Sequence, residues 1–410
     1  MSDRFHFLPA TATRDAAILL RARAVRAFGD GFVSILLPLY LTTLGLSPFQ
    51  VGAVATATLL GSAALTLYVG LIAARLARRT LLTRVAYLMI GTGIGFAIAR
   101  DFWPLLIIAF VGTINPSAGD VSVFLPSEQA LLPQTIAARE RTALFARYGL
   151  TGSLVAAFGA LCAGVPGFIA THTGLDLRVT LNAMFVVYAF LGLTVLVLYR
   201  GLSPAIEPTE AKPSIPLGPS RRIVFTLAAL FSLDSFASGF VVQSLLALWL
   251  FQKFGLSPAT TGLIFFWSGL LSATSQLLAP RLAAKIGLVN TMVFTHLPAN
   301  IFLILVPFMP NLPLALAFLL ARSVFSQMDS PARTSYVMAV VSPPERPAAA
   351  SVTNVPRSLA TALSPLLAGA LLARSPFGWP LVIGGGLKAL YDLLLLSMFR
   401  AVRPPEERDE

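Results

Sequence analysis

Apolar residues come in stretches of about 20, and each stretch closes on a short polar or Gly- and Pro-containing segment before the next begins. Twelve such stretches tile the chain, at 26–45, 49–73, 83–99, 103–132, 143–170, 177–199, 222–252, 258–280, 288–309, 313–340, 348–373 and 379–399. A helix of about 20 apolar residues crosses a hydrocarbon layer roughly 30 Å thick. In lipid every backbone N–H and C=O must be satisfied within its own segment, so the stretches predict helices, and no alternating strand pattern competes. The interval 200–221 is rich in Pro and polar residues and has no apolar periodicity. It predicts a linker between an N-terminal six-helix bundle, 1–199, and a C-terminal one, 222–410.

The two parts repeat one another. Pro126, Glu140-Arg141, Ala143 and Ser153-Leu154 return 205 residues later as Pro331, Glu345-Arg346, Ala348 and Ser358-Leu359. Gly45-Leu46-Ser47-Pro48 returns as Gly255-Leu256-Ser257-Pro258, and Ala74-Arg75-Leu76-Ala77 is echoed by Pro280-Arg281-Leu282-Ala283. The expected fold is an all-α polytopic membrane protein of twelve transmembrane helices, in two pseudo-twofold-related bundles of six.

Composition agrees, with 56% apolar and 12% charged residues among 410 and a mean hydropathy of +0.79, where a soluble domain carries about 25% charged residues. With the N-terminus in the cytoplasm, 22 of the 30 Lys and Arg fall on the cytoplasmic side, four on the other side and four within spans. That asymmetry predicts that both termini are cytoplasmic. It also accounts for the net charge of +12 without a nucleic acid partner. A single cysteine, Cys162, excludes an internal disulfide framework and a thiolate metal cluster. The three histidines (His6, His172, His296) lack ligand spacing, so no metal or other cofactor is expected. Gly91-Thr92-Gly93-Ile94-Gly95 lies inside the third span with no preceding strand and reads as helix packing. No Walker sequence or Ser/His/Asp arrangement points to an enzyme, and the N-terminus carries no cleavable signal.

The segment Gly70-Leu71-Ile72-Ala73-Ala74-Arg75-Leu76-Ala77-Arg78-Arg79 resembles the loop 2–3 motif of the major facilitator superfamily. Ala74 stands at that motif's aspartate and Ala77 at its second glycine. Gly159, Gly164, Pro166 and Gly167 are similar to part of the fifth-span motif of exporters. The resemblance, which covers the whole chain, implies secondary active transport of a small molecule by alternating access, and a monomer. Buried acids add protons as a partner, so proton-coupled efflux across a prokaryotic plasma (inner) membrane is the expected activity. The alternatives are a proton-coupled uptake permease for an organic acid or sugar and, in a different class, a transport-inactive scaffold or sensor.

A charge at mid-bilayer costs about 2.5–3.5 kcal/mol on insertion scales, so each one inside a span calls for a reason. They are Asp30 in span 1, Asp120 and Glu128 in span 4, Asp234 in span 7, Arg322, Asp329 and Arg333 in span 10, Arg357 in span 11, and Lys388 and Asp392 in span 12. The resemblance implies that spans 1, 4, 7 and 10 line the cavity. Asp30, Asp120, Glu128, Asp234, Asp329, Arg333 and Arg357 are the expected proton-coupling or gating residues. Asp120 suits coupling by its place behind Asn115-Pro116, and Asp234 reads as the rough counterpart of Asp30. Glu128 holds in span 4 the place that Arg333 holds in span 10, with opposite charge, which predicts a latch between the halves. Arg322, Asp329, Arg333 and Tyr336 share one helical stripe, and Asp329 and Arg333 stand four residues apart. Asn115, Asp120, Gln243, Trp267, Asn300 and Asp329 are the expected substrate-binding residues, chosen for depth. The plainer readings are interhelical hydrogen bonding for the amides and packing for the Trp.

Overall fold

The computed structural model describes residues 8, 11–72, 77–117, 123–137, 140–206, 217–342, 345–400 and 402. Eight of the spans are single helices: α1 (Arg14–Thr43), α2 (Pro48–Ile72), α3 (Arg78–Ile98), α8 (Leu177–Arg200), α11 (Pro258–Ile286), α12 (Leu288–Leu305), α15 (Arg346–Arg374) and α16 (Trp379–Phe399). The other four are broken. Span 4 is α4 (Phe102–Val111) and α5 (Phe124–Leu131), and span 5 is α6 (Arg141–Leu161) and α7 (Val165–Thr173). Span 7 is α9 (Arg221–Gly239) and α10 (Gln243–Phe254), and span 10 is α13 (Leu312–Phe325) and α14 (Asp329–Val340).

Local chemistry explains the breaks. Gly112 leaves α4 in an extended conformation ahead of Asn115-Pro116, where a following proline disfavours helix. Val242 is likewise extended between α9 and α10. Ten segments are long and apolar enough to cross a membrane. Spans 4 and 10 do not qualify because each is interrupted and carries polar and charged residues in its middle. Span 1 begins at Arg14, well before residue 26. Arg23 and Arg26, counted above with the N-terminal tail, are therefore buried residues of a membrane helix.

Helix pairing repeats between the halves. In the first, α1 packs on α6 and α8, α3 on α8, and α2 on α4; in the second, α9 packs on α15 and α16, α12 on α16, and α11 on α13. The register is fixed by small residues. A Cβ on Gly31 would strike the carbonyl of Ala156, and one on Gly239 would strike that of Thr361. Gly31 and Gly239 are thus equivalent, and five residues back in each helix Arg26 stands where Asp234 stands. The counterpart of Asp234 is Arg26, not Asp30.

Two crossings join the halves, α2 on α15 and α6 on α11. At the first, a Cβ on Gly52 would lie 2.5 Å from the Pro365 carbonyl oxygen and one on Gly369 would lie 2.6 Å from that of Pro48. At the second, Gly262 abuts the Ala160 carbonyl. Away from the termini α1 also meets α10, and the Ser244 N–H donates to the Pro116 carbonyl at 3.0 Å. One apolar core runs through that end of both halves, from Leu36, Tyr40 and Phe96 to Leu245, Trp249 and Leu372. Towards the termini the second half has its own core, with Phe231, Met292, Val337 and Leu395. One apolar core thus joins the halves on the side away from the termini, and on the terminal side the second half has a core of its own.

On that side each half ties down the chain entering its first span. The Glu140 carboxylate accepts from the Thr11 hydroxyl at 2.6 Å and the Thr11 N–H at 3.2 Å. Its repeat, Glu345, accepts from the hydroxyls of Ser342 at 2.6 Å and Ser220 at 2.7 Å and from the Gly218 N–H. These donors, Ser342 first, then Gly218 and Ser220, hold the Glu345 carboxyl below its ordinary value of 4.5.

Candidate functional site

Each half contains an ion pair between its first and fourth spans, and the polarity is reversed between them. In the first half Arg26 on α1 meets Glu128 on α5, with exposures of 2% and 0%. The Tyr199 hydroxyl donates to Glu128 at 2.6 Å, the Tyr148 hydroxyl also donates, and the Arg26 guanidinium lies 4.4 Å from the centre of the Phe124 ring. A carboxylate and a guanidinium this deep persist because each fills the other's hydrogen-bonding needs. In the second half Asp234 on α9 meets Arg333 on α14 at 3.2 Å. Glu128 and Arg333 are consequently not paired with each other, as a latch would have it. In this conformation each is held within its own half.

The second-half cluster is larger. Arg333 also binds Asp329 one turn earlier in α14, and Lys388 on α16 donates to Asp234 Oδ1 at 2.7 Å. On α12 the His296 ring reaches two carboxylates, with Nδ1 at 2.9 Å from Asp392 Oδ1 and Nε2 at 3.9 Å from Asp234 Oδ1. The Asn300 amide donates to Asp392 Oδ2 at 2.8 Å, and the His296 ring stands edge-on to Tyr391. A carboxylate only accepts, so with Asp392 ionised Nδ1 carries the hydrogen and Nε2 is the ring nitrogen that faces Asp234. Arg357 on α15 donates to the Ser235 hydroxyl at 3.1 Å and to the Asn354 side-chain oxygen at 3.2 Å.

Of the expected coupling and gating residues, Asp234, Asp329 and Arg333 come together, and Arg357 borders them through Ser235 and the Phe231 ring it shares with Arg333. Asp30 is buried in α1 in the other half, between glycines packed on Tyr188 and Ala156. Asp120 lies outside the described residues. Of the expected substrate ligands, Asn115 is buried and its side chain caps the Ser117 N–H at 3.0 Å. Gln243 opens α10, and Asn300 is committed to Asp392. Trp267 is half exposed on the side of α11 that also shows Leu263 and Leu278, away from the Ser268 side that meets α13. The stripe in span 10 is divided, because residues 326–328 separate Arg322 from Asp329, Arg333 and Tyr336. Tyr336 instead donates to the Val402 carbonyl at 3.0 Å.

Sequence reasoning passed over His296, Lys388 and Asp392 as site residues, and Arg26, Tyr148 and Tyr199 altogether. A usable signal for the first group was Asn300 one turn after His296, at a depth like that of Asp392 in the facing span.

Broken helices around a cleft, two repeats of six spans and ionisable groups at mid-depth define a membrane transport protein. The family model of the Major Facilitator Superfamily matches residues 19–244 and again 224–410, and the chain belongs to that superfamily. It is 26% identical to the uncharacterized membrane protein YJR124C of Saccharomyces cerevisiae, over 95% of each chain. It is 25% identical to the uncharacterized MFS-type transporter YceJ of Bacillus subtilis, over 92% of this chain and 93% of that one. Among solved structures, a bacterial homolog of the human lysosomal transporter Spinster, in an inward-facing, occupied conformation, superposes with a TM-score of 0.72. It has 16% identity and covers 95% of this chain and 97% of the other.

Proposed function

We propose that the chain is a proton-coupled secondary transporter, with both termini in the cytoplasm and a cleft that opens to each side in turn. The observation that carries the coupling is the buried His296 ring between Asp392 and Asp234. Asp234 is the node of the second half, because Arg333, Lys388 and the imidazole all address one carboxylate. Adding a proton at Nε2 places a third cation beside it and weakens its hold on Arg333. Arg333 belongs to α14, a half-helix with a break at its head, so a change in that pair is a change in how α14 sits against α9. Asp329, Arg357, Lys388 and Tyr391 surround the same node and set its charge balance. A proton taken up on one side thus becomes a bias between two arrangements of the half.

Export is the direction favoured by the exporter-like residues of span 5, where Gly159 packs on the Phe28 carbonyl and Gly164 on Ala259. Uptake of an organic acid is the second reading, favoured by Arg322 and Arg357, neither of which has a carboxylate partner among the described residues.

The test uses proteoliposomes with an entrapped pH dye and a panel of sugars, nucleosides, amines and organic acids. Wild type moves protons when its solute is supplied. His296→Gln and Asp392→Asn are expected to keep solute exchange between the two sides while losing accumulation driven by a pH gradient. Gradient-driven accumulation by His296→Gln at the wild-type level would sink the proposal.

A further inference from the structure

Arg322 lies in the last turns of α13, ten residues from its start, which at 1.5 Å per residue is about 15 Å into the span. That places it near the middle of the bilayer. It falls on the stripe of α13 that carries Ala315 and Leu319, both 1% exposed, and so points into the protein. Its Nε is buried and bonded to nothing, and no hydrogen bond or ion pair reaches the guanidinium among the described residues. The side chain as a whole is only partly buried.

Its neighbours are polar but neutral. Next to it in sequence, the Ser323 hydroxyl meets that of Ser268 on α11 at 2.6 Å, and Ser272 donates to the Ser323 carbonyl at 3.4 Å. One turn on, the Gln276 amide meets Gln327 at 3.4 Å. Deep cations elsewhere in the half are answered: Arg333 by Asp329 and Asp234, Lys388 by Asp234, Arg357 by a hydroxyl and an amide oxygen. Arg147 in the first half also has an unbonded nitrogen, but it sits two turns from the terminal end of α6, where water is close. The three carboxylates Asp234, Asp329 and Asp392 are met by Arg333, Lys388 and His296, which leaves Arg357 and Arg322 without a carboxylate, and of the two only Arg357 makes hydrogen bonds among the described residues.

We infer that Arg322 anchors the substrate, and that the substrate is a small organic anion held by a carboxylate or phosphate group against the guanidinium fork. The inference rests on the transporter reading above and adds the class of solute to it. A guanidinium presents parallel N–H donors that match an oxyanion, and the low-dielectric cleft strengthens the pair. Bound substrate would then complete a half that is otherwise over-charged.

The full-length protein in nanodiscs is tested by thermal unfolding against matched sets: aliphatic and aromatic carboxylates, phosphate monoesters, and the amide, alcohol and amine analogues of each. At least one acid series should raise the Tm while its amide does not, and the responding series distinguishes carboxylate from phosphate. Arg322→Gln should weaken that binding by roughly tenfold or more, the usual loss for a charge-assisted hydrogen bond, and Arg322→Lys should retain part of it. Without ligand, Arg322→Gln should unfold at or above the wild-type temperature, because it removes an unanswered charge. The inference is overturned if neutral analogues stabilise wild type as well as the acids do, if no acid in the panel stabilises it, or if Arg322→Gln lowers the ligand-free Tm and leaves the acid-induced shift intact. Proton coupling is read separately through His296→Gln, which should keep the acid-induced shift, so either proposal can fail without the other.

Discussion

Glu128→Gln removes one charge from a pair with no exposure to solvent and leaves the Arg26 guanidinium in the interior without its counter-ion. Breaking a buried pair from one side costs about 3–5 kcal/mol, because the surviving charge keeps its desolvation penalty. The amide oxygen of Gln still accepts from Tyr199, which keeps the loss near the lower end, at about 3 kcal/mol. In a chain of this length roughly 1–2 °C of Tm accompanies each kcal/mol, so unfolding should move down by about 5 °C in a fluorescence-monitored melt. The partner is identified by double substitution. Arg26→Gln with Glu128→Gln removes both charges and should recover more than half of the loss, whereas Arg333→Gln with Glu128→Gln should simply add two losses. Charge exchange, Arg26→Glu with Glu128→Arg, copies the polarity of the second half and should unfold closer to wild type than Glu128→Gln does. If Glu128→Gln melts within 1 °C of wild type, or if Arg333→Gln rescues it, the pairing within each half is wrong and the latch between the halves returns.

The Glu345 clasp has a defined pH response. Its carboxyl is held below 4.5 by Ser342, Gly218 and Ser220, so its contribution is present above that value and disappears as pH falls through the lowered one. Hydrogen exchange at Gly218 and Ser220 should accelerate on acidification in wild type and be fast at every pH in Glu345→Gln. Gly369→Val places a branched side chain where even a Cβ would stand 2.6 Å from the Pro48 carbonyl oxygen. It should cost about 1–3 kcal/mol in a melt and suppress solute exchange more than Gly386→Val, whose Cβ meets nothing within 4 Å. Lys253 donates to the Pro307 carbonyl at 2.6 Å and sits among the rings of Trp249, Phe254 and Phe377. Lys253→Met keeps the stem and loses the charge, and should destabilise by about 1–2 kcal/mol.

The spans were legible because lipid enforces a single solution for the backbone, and the repeat was legible because loop landmarks such as Glu140 and Glu345 survive in both halves. Four spans are nevertheless divided, and hydropathy cannot register a break such as that before Val242, which replaces helix by extended backbone without changing polarity. The start of α1 was hidden by Arg23 and Arg26, which read as a basic tail until their burial in the helix is known. Depth alone misassigned Asp234. The 205-residue offset of Pro126 and Pro331, carried to spans 1 and 7, sets Asp234 next to Asp30, and only the close approach of Gly31 and Gly239 to their neighbours, 208 residues apart, restores the register. Asn300 was chosen for its depth, and its bond to Asp392 was not legible, since the distance between them is a property of two helices at once.

At its closest points the joint between the halves is glycine, alanine and main-chain carbonyls, and this bears on how fast it can turn. Knobs seated in holes must climb out before one helix can roll over another, and each climb is a barrier. At Gly52–Gly369 and Gly262–Ala160 there are no knobs to unseat, so backbone rests on backbone like the two faces of a plain bearing. There a few degrees of roll keep the surfaces touching, while side-chain pairs such as Phe158 and Phe266 have to follow. In the transport cycle proposed above, a swap in the partners of one carboxylate is what would tip such a hinge.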